Sequence, residues 1–209
     1  MQAKDEQQRR EEPKPLLMVD IDGVVSLFGV PGLAGGPSDG SGGGLSPAPG
    51  AGEALEGSLY SIDGMLHFLS STAAAHLLSL GAAFELVWAS GWEEKADEHL
   101  PHLLGLPPRL PFLRFSREVG GRGQTYAHWK LEAIEAYAGR RPLAWIDDAF
   151  NGACHDWARA RSAPTLLVQT EPAHGLTARE AGLLLSWAQE LHRASAERGR
   201  ESSAPRPAG

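Results

Sequence analysis

Cysteine is almost missing from this 209-residue sequence: Cys154 is the only one, which excludes an intrachain disulfide and a thiolate-rich metal site. Long apolar runs are missing too. No stretch approaches the roughly 18 apolar residues of a membrane span, and Met1 to Lys14, with four basic and four acidic side chains, holds no apolar leader core. These absences lead us to expect a soluble, cytoplasmic protein with no membrane partner. An excess of positive charge is also lacking. The formal charge of −7 disfavours strong nonspecific nucleic-acid binding, so an anionic substrate would need a cation or a local Lys and Arg cluster. No internal repeat is visible, and nothing in the composition bears on oligomeric state.

With 42% hydrophobic residues, the chain has the apolar content of one globular domain. Its ends do not. Residues 1–14 and 194–209 are polar and read as disordered tails around a domain at 15–193. Within that domain, residues 29–57 carry eleven glycines and four prolines, too few apolar side chains for a core. This stretch reads as a flexible insertion. Because it leaves the end of the first strand, it hangs near whatever that strand presents, as an inert insertion or a mobile flap.

That first strand is the centre of the pattern. Leu16, Leu17, Met18 and Val19, bounded by Pro15 and Gly23, read as a strand buried on both faces. It runs into Asp20 and Asp22. Alternation along an extended backbone would project both carboxylates the same way at the strand's carboxyl end, where open α/β sheets bind ligands. Two neighbouring carboxylates repel, so they need a shared proton or a cation. Further strands are expected at Phe84–Ala89, Leu110–Phe115 (an edge, given Pro111), Leu143–Ile146 and Thr165–Gln169. Helices should separate them: one capped by Ser70 or Ser71 and stopped at Gly81, one over 93–104 disturbed by Pro101, and one with Ala127, Leu131, Ile134 and Ala138 on a single stripe. Asn151 can cap another, and a last helix from Thr177 places Leu184, Trp187, Ala188 and Leu191 at core spacing. Apolar strands joined by helical crossovers argue for a parallel sheet covered on both faces.

Three strands end in polar pairs: Asp20 with Asp22 in VDIDGV, Ser90 with Gly91 in VWASGW, and Asp147 with Asp148 in WIDDAF. With Lys130 in AHWKLEAI upstream of the last, the chain resembles the haloacid dehalogenase-like (HAD) phosphohydrolase superfamily over residues 16–170. The WASGW and WIDD wording is loosely similar to the HAD domains of bacterial RNA-repair proteins. The resemblance implies a three-layer α/β/α Rossmannoid fold with a five-stranded parallel sheet and no full cap domain. It also implies a Mg²⁺-dependent phosphatase or phosphotransferase working on a phosphomonoester through an aspartyl-phosphate. The substrate would be a phosphorylated small molecule or macromolecular end, a nucleotide or nucleic-acid end among them.

By the same resemblance Asp20 is the nucleophile and Asp22 the acid/base, Ser90 and the Gly91 N–H hold a phosphoryl oxygen, and Lys130 neutralises charge and holds Asp20. The Mg²⁺ would take the Asp20 carboxylate, the Asp22 backbone carbonyl and one of Asp147 and Asp148, Asp147 being placed first. The other class of function is a non-catalytic binding module that keeps the fold. Retention of both Asp20 and Asp22 favours the enzyme.

Other residues offer less. His99 and His102 have metal-site spacing but no third ligand at a plausible offset, so they read as a surface pair. Trp92 reads as core packing before substrate stacking, Cys154 and His155 as helix packing, and Arg122 as a residue of a mobile glycine-rich turn.

Overall fold

A computed structural model of the chain describes residues 13–29, 56–115 and 126–202, with side chains to 198. The described elements begin with β1 (Leu16–Val19), and the strands that pair beside it each follow a helix. The principal sheet is parallel and has four strands, ordered β5 (Glu85–Trp88), β1, β6 (Leu143–Asp147), β7 (Thr165–Gln169). The expected fifth strand at 110–115 shrinks to one parallel bridge between Phe112 and Trp88. There the Trp88 N–H reaches the Pro111 carbonyl and the Leu113 N–H reaches the Trp88 carbonyl. Pro111 has no N–H to extend the pairing, which is the physical reason the sheet stops at four.

Burial on both faces explains why β1 is uninterrupted by polar residues: Leu16 to Val19 are all at most 1% exposed. Leu17 and Val19 pack with α1 (Ser71–Leu80), α2 (Lys95–Leu104) and α5 (Ala178–Ser202) through Leu77, Leu100 and Leu184. Leu16 and Met18 face the opposite layer, where Ile134 of α3 (Leu131–Ala138) and Cys154 of α4 (Gly152–Ala160) close the core. Three layers result. Each fully buried leucine or isoleucine here stabilises the fold by about 1.5–3 kcal/mol.

Several boundaries follow their caps. The Ser70 hydroxyl accepts from the Ala73 N–H to start α1, and Asn151 accepts from the Cys154 N–H to start α4. At α5 the Thr177 N–H and hydroxyl both donate to the Glu180 carboxylate, and the Thr177 hydroxyl oxygen accepts from the Arg179 N–H at 3.3 Å. That helix runs to Ser202, so the expected tail from 194 is helical for its first nine residues. Polar residues continue a helix when an apolar face has already fixed its start. The stripe through Ala127 is realised as a 3-10 turn, Ala127–Lys130, followed by α3.

A second sheet went unread in the sequence. β3 (Gly57–Ile62) and β4 (Met65–Ser70) form an antiparallel hairpin, and β2 (Ser26–Leu27) pairs with the other side of β4. The two-residue turn is Asp63-Gly64 with both φ positive, at 51° and 79°, the geometry that matches strand twist. Among the described residues, this hairpin sheet and α2 are what the two insertion points contribute. The bulk of the Gly-rich stretch, the N-terminal tail to 12 and Arg122 lie outside the described residues.

Candidate active site

The chain leaves β1 for β5 on one side and later returns to β6 on the other, making the carboxyl end of β1 a topological switch point. Asp20 sits there, 7% exposed, its N–H bound to the Ile146 carbonyl of β6. On the β5 side the Ala89 N–H donates to the Val19 carbonyl, which sets Ser90 beside the same strand end. Ser90 is buried and Gly91 exposed. On the β6 side, register brings Asp147 and Asp148 alongside, and ligand atoms of Asp20, Asp147 and Asp148 lie within 4.8 Å of one another.

Lys130 is the cation among them. Its Nζ lies 2.9 Å from Asp20 Oδ2 and 2.7 Å from Asp147 Oδ2, with only 4% of its side chain exposed. Burial alone would lower its pKa, but Asp20 and Asp147 outweigh it and hold the ammonium above the ordinary lysine value. One lysine does not balance four carboxylates. Asp147 is pushed up to about 7 by burial and then by Asp20, against the pull of Lys130. Asp148 and Asp22 are each raised to about 6, again by burial first and Asp20 second. A pocket lined by hard oxygen donors and carrying surplus negative charge suits a divalent cation of the Mg²⁺ type.

The adjacent aspartates are not equivalent. Asp147 commits Oδ2 to Lys130 and Oδ1 to the Ala149 N–H at 3.0 Å. The Asp148 carboxylate instead lies over Gly23, so close that a Cβ at position 23 would overlap Asp148 Oδ2. Gly23 also has φ +72°, which L side chains rarely adopt.

The order of these groups along the chain matches one family model across residues 16–181, that of the HAD domain in Swiss Army Knife RNA repair proteins. The chain belongs to that family. It is thus a domain of the HAD phosphohydrolase superfamily, and the expected resemblance holds over most of the sequence. No curated protein and no solved structure gives a significant match. In this HAD domain the structure groups Asp20, Lys130, Asp147 and Asp148 directly, with Asp22 close enough to Asp20 to feel its charge. Ser90 and Gly91 stand at the neighbouring strand end.

Three features of the HAD site escaped the sequence. The Trp92 indole N–H donates to Asp22 Oδ2 at 3.0 Å, a link across 70 residues. The Thr170 hydroxyl, buried after β7, donates to the Gly23 carbonyl at 2.8 Å and braces the turn. Ser26 and His67 share a buried hydrogen bond of 2.9 Å beside Trp92. Trp92 was visible as a residue after the serine motif; no sequence signal pointed to Thr170, Ser26 or His67. His99 and His102 lie on α2 outside this group, His99 half-buried and His102 exposed.

Proposed function

We propose that this HAD domain is a Mg²⁺-dependent phosphohydrolase that acts on a phosphorylated nucleic-acid end through an aspartyl-phosphate intermediate. The observation that carries the reading is the buried Lys130 bridging Asp20 and Asp147 while Asp148 remains turned toward the shared pocket. The nucleic-acid end is the substrate class suggested by the RNA-repair setting of the family.

The chain's own residues divide the work. Lys130 holds Asp20 Oδ2, orienting the carboxylate for attack on phosphorus. As the new Asp20–phosphorus bond forms and the ester P–O bond breaks, Asp22 gives its proton to the leaving oxygen. Asp22 then accepts a proton from water, which attacks the aspartyl-phosphate, releasing inorganic phosphate and restoring Asp20. Ser90 and the Gly91 N–H hold a phosphoryl oxygen.

Asp20, the Asp22 carbonyl and Asp148 would hold the metal. Asp148 takes precedence over Asp147, the reverse of the order favoured from sequence, because both Asp147 oxygens already have partners. Bound Mg²⁺ supplies the positive charge that neutralises the phosphoryl oxygens.

The test is Asp20→Asn, measured as phosphate release from an aryl phosphate and from a 5′- or 3′-phosphorylated oligonucleotide with Mg²⁺ present. Release should be lost on all of them while the fold persists. Full activity in Asp20→Asn would remove the nucleophile assignment, and an inactive wild type on every phosphomonoester would favour the binding-module alternative.

A further inference from the structure

Asp22 has two carboxylate oxygens with different surroundings. Oδ2 accepts the 3.0 Å hydrogen bond from the Trp92 indole, whereas Oδ1 is buried without a close partner, and the Ser26 hydroxyl, bonded to His67, lies near enough to the carboxylate to favour its charged form. A carboxylate tethered at one oxygen has lost most of its χ2 freedom, so the direction of the other oxygen is set. Proton transfer in a transition state depends on that direction.

Trp92 is itself fixed from several sides. The His67 ring packs edge-on against the indole, with centroids 4.9 Å apart and planes at 74°, and His67 Nδ1 is hydrogen-bonded to Ser26. The residue after Trp92, Glu93, has φ +47°, a left-handed conformation uncommon for a glutamate. Its N–H closes the turn onto the Ser90 carbonyl at 3.1 Å, and its carboxylate accepts from the Phe115 N–H at 2.9 Å. A backbone held in an unfavourable region by contacts on both sides persists only where the surroundings over-determine it. Here it makes one four-residue turn begin with the phosphate-side Ser90 and present an indole N–H to the carboxylate of a different strand.

We infer that Trp92 is a positioning residue for Asp22, its indole N–H fixing the carboxylate that handles the leaving-group proton. The inference rests on the phosphohydrolase reading of the site. Trp92 touches neither substrate nor metal in this scheme; it acts through Asp22. Its effect should therefore depend on how much the leaving group needs a proton. A nitrophenolate departs without one, whereas an alkoxide such as a sugar hydroxyl does not.

The test compares kcat/KM for p-nitrophenyl phosphate with that for an alkyl phosphate, in wild type and Trp92→Phe. This quantity ends at formation of the aspartyl-phosphate, so later hydrolysis does not blur it. Phe keeps an aromatic ring against His67 but has no donor. The alkyl phosphate should lose at least about tenfold more than the aryl phosphate, within the range general acids contribute. Should Trp92→Phe fold poorly, site-specific 3-benzothienylalanine at position 92 keeps the indole shape with sulfur in place of N–H, and the same selective loss is expected. Equal losses on both substrates, or no loss on either, would overturn the positioning role while leaving the phosphohydrolase reading intact. A wild type inactive on both substrates would overturn the two together.

Discussion

Replacing Lys130 by Met tests the charge arrangement more severely than any other single change. The two contacts of the ammonium, at 2.9 Å to Asp20 and 2.7 Å to Asp147, are each worth about 6 kcal/mol of gross attraction at an effective dielectric of about 20. Desolvating the three ions costs several kcal/mol each and offsets much of this. Removing one partner of such a buried pair leaves uncompensated charge, so Lys130→Met should destabilise the metal-free fold by about 3–5 kcal/mol. The loss should also depend on pH. Without the ammonium, the folded-state pKa of Asp147 rises further, so it keeps a proton that the unfolded chain releases near about pH 4. Its penalty grows as pH rises from the unfolded value up to that higher folded value, and the variant should lose more stability at about pH 8 than at about pH 5. Urea unfolding in EDTA at the two pH values, followed by tryptophan fluorescence, measures this. A loss below about 1 kcal/mol at the higher pH, or equal losses at both, would refute the reasoning.

Two further predictions concern the metal pocket. In metal-free protein, Asp22 and Asp148 titrate about 6 and Asp147 about 7, above the unfolded value, so stability should fall as pH rises from about 4 to about 7 and then level off. Mg²⁺ favours the ionised carboxylates; at 100 times its Kd it should add about 2.7 kcal/mol, with a larger Tm gain above pH 7 than in mild acid. Scanning fluorimetry with and without Mg²⁺ checks both, and an equal or absent gain across pH would contradict the site. Gly23→Ala should cost about 1–2 kcal/mol from φ alone. It should also displace Asp148, so a calorimetric titration is expected to show at least tenfold weaker Mg²⁺ binding, and unchanged affinity would show that Asp148 does not ligate.

The parallel strands were legible because each carries an uninterrupted apolar stretch, Leu16–Val19, Leu86–Trp88, Leu143–Ile146 and Leu166–Val168, as strands covered on both faces do. The strand at 110–115 failed on chemistry rather than pattern, since Pro111 cannot donate the hydrogen bond that would extend it beyond Phe112. The hairpin was readable in principle: Asp63-Gly64 between Ile62 and Met65 is a strong two-residue turn signal. Its strands mix exposed leucines with polar residues, which hid the alternation. In the site, residue types and order were visible, but partner choice was not. Asp147 and Asp148 are neighbours in sequence, and only the fold shows Lys130 and the Ala149 N–H taking both oxygens of the first. Trp92 and Asp22 meet because two strand ends lie side by side, a fact of topology that no local spacing encodes.

The hairpin also has a mechanical meaning. Three residues past Gly23, Ser26 pairs with Leu69 of β4; the Ser70 N–H donates to the Val25 carbonyl, and the Ser70 hydroxyl anchors the first turn of α1. The loop that carries Asp22 is thus stitched to the hairpin and to a helix embedded in the core, and Thr170 pins it from a third direction. Such a wall yields little. For the carboxylates of the site this flank is a fixed jaw, held by strand pairing, a helix cap and a buried threonine.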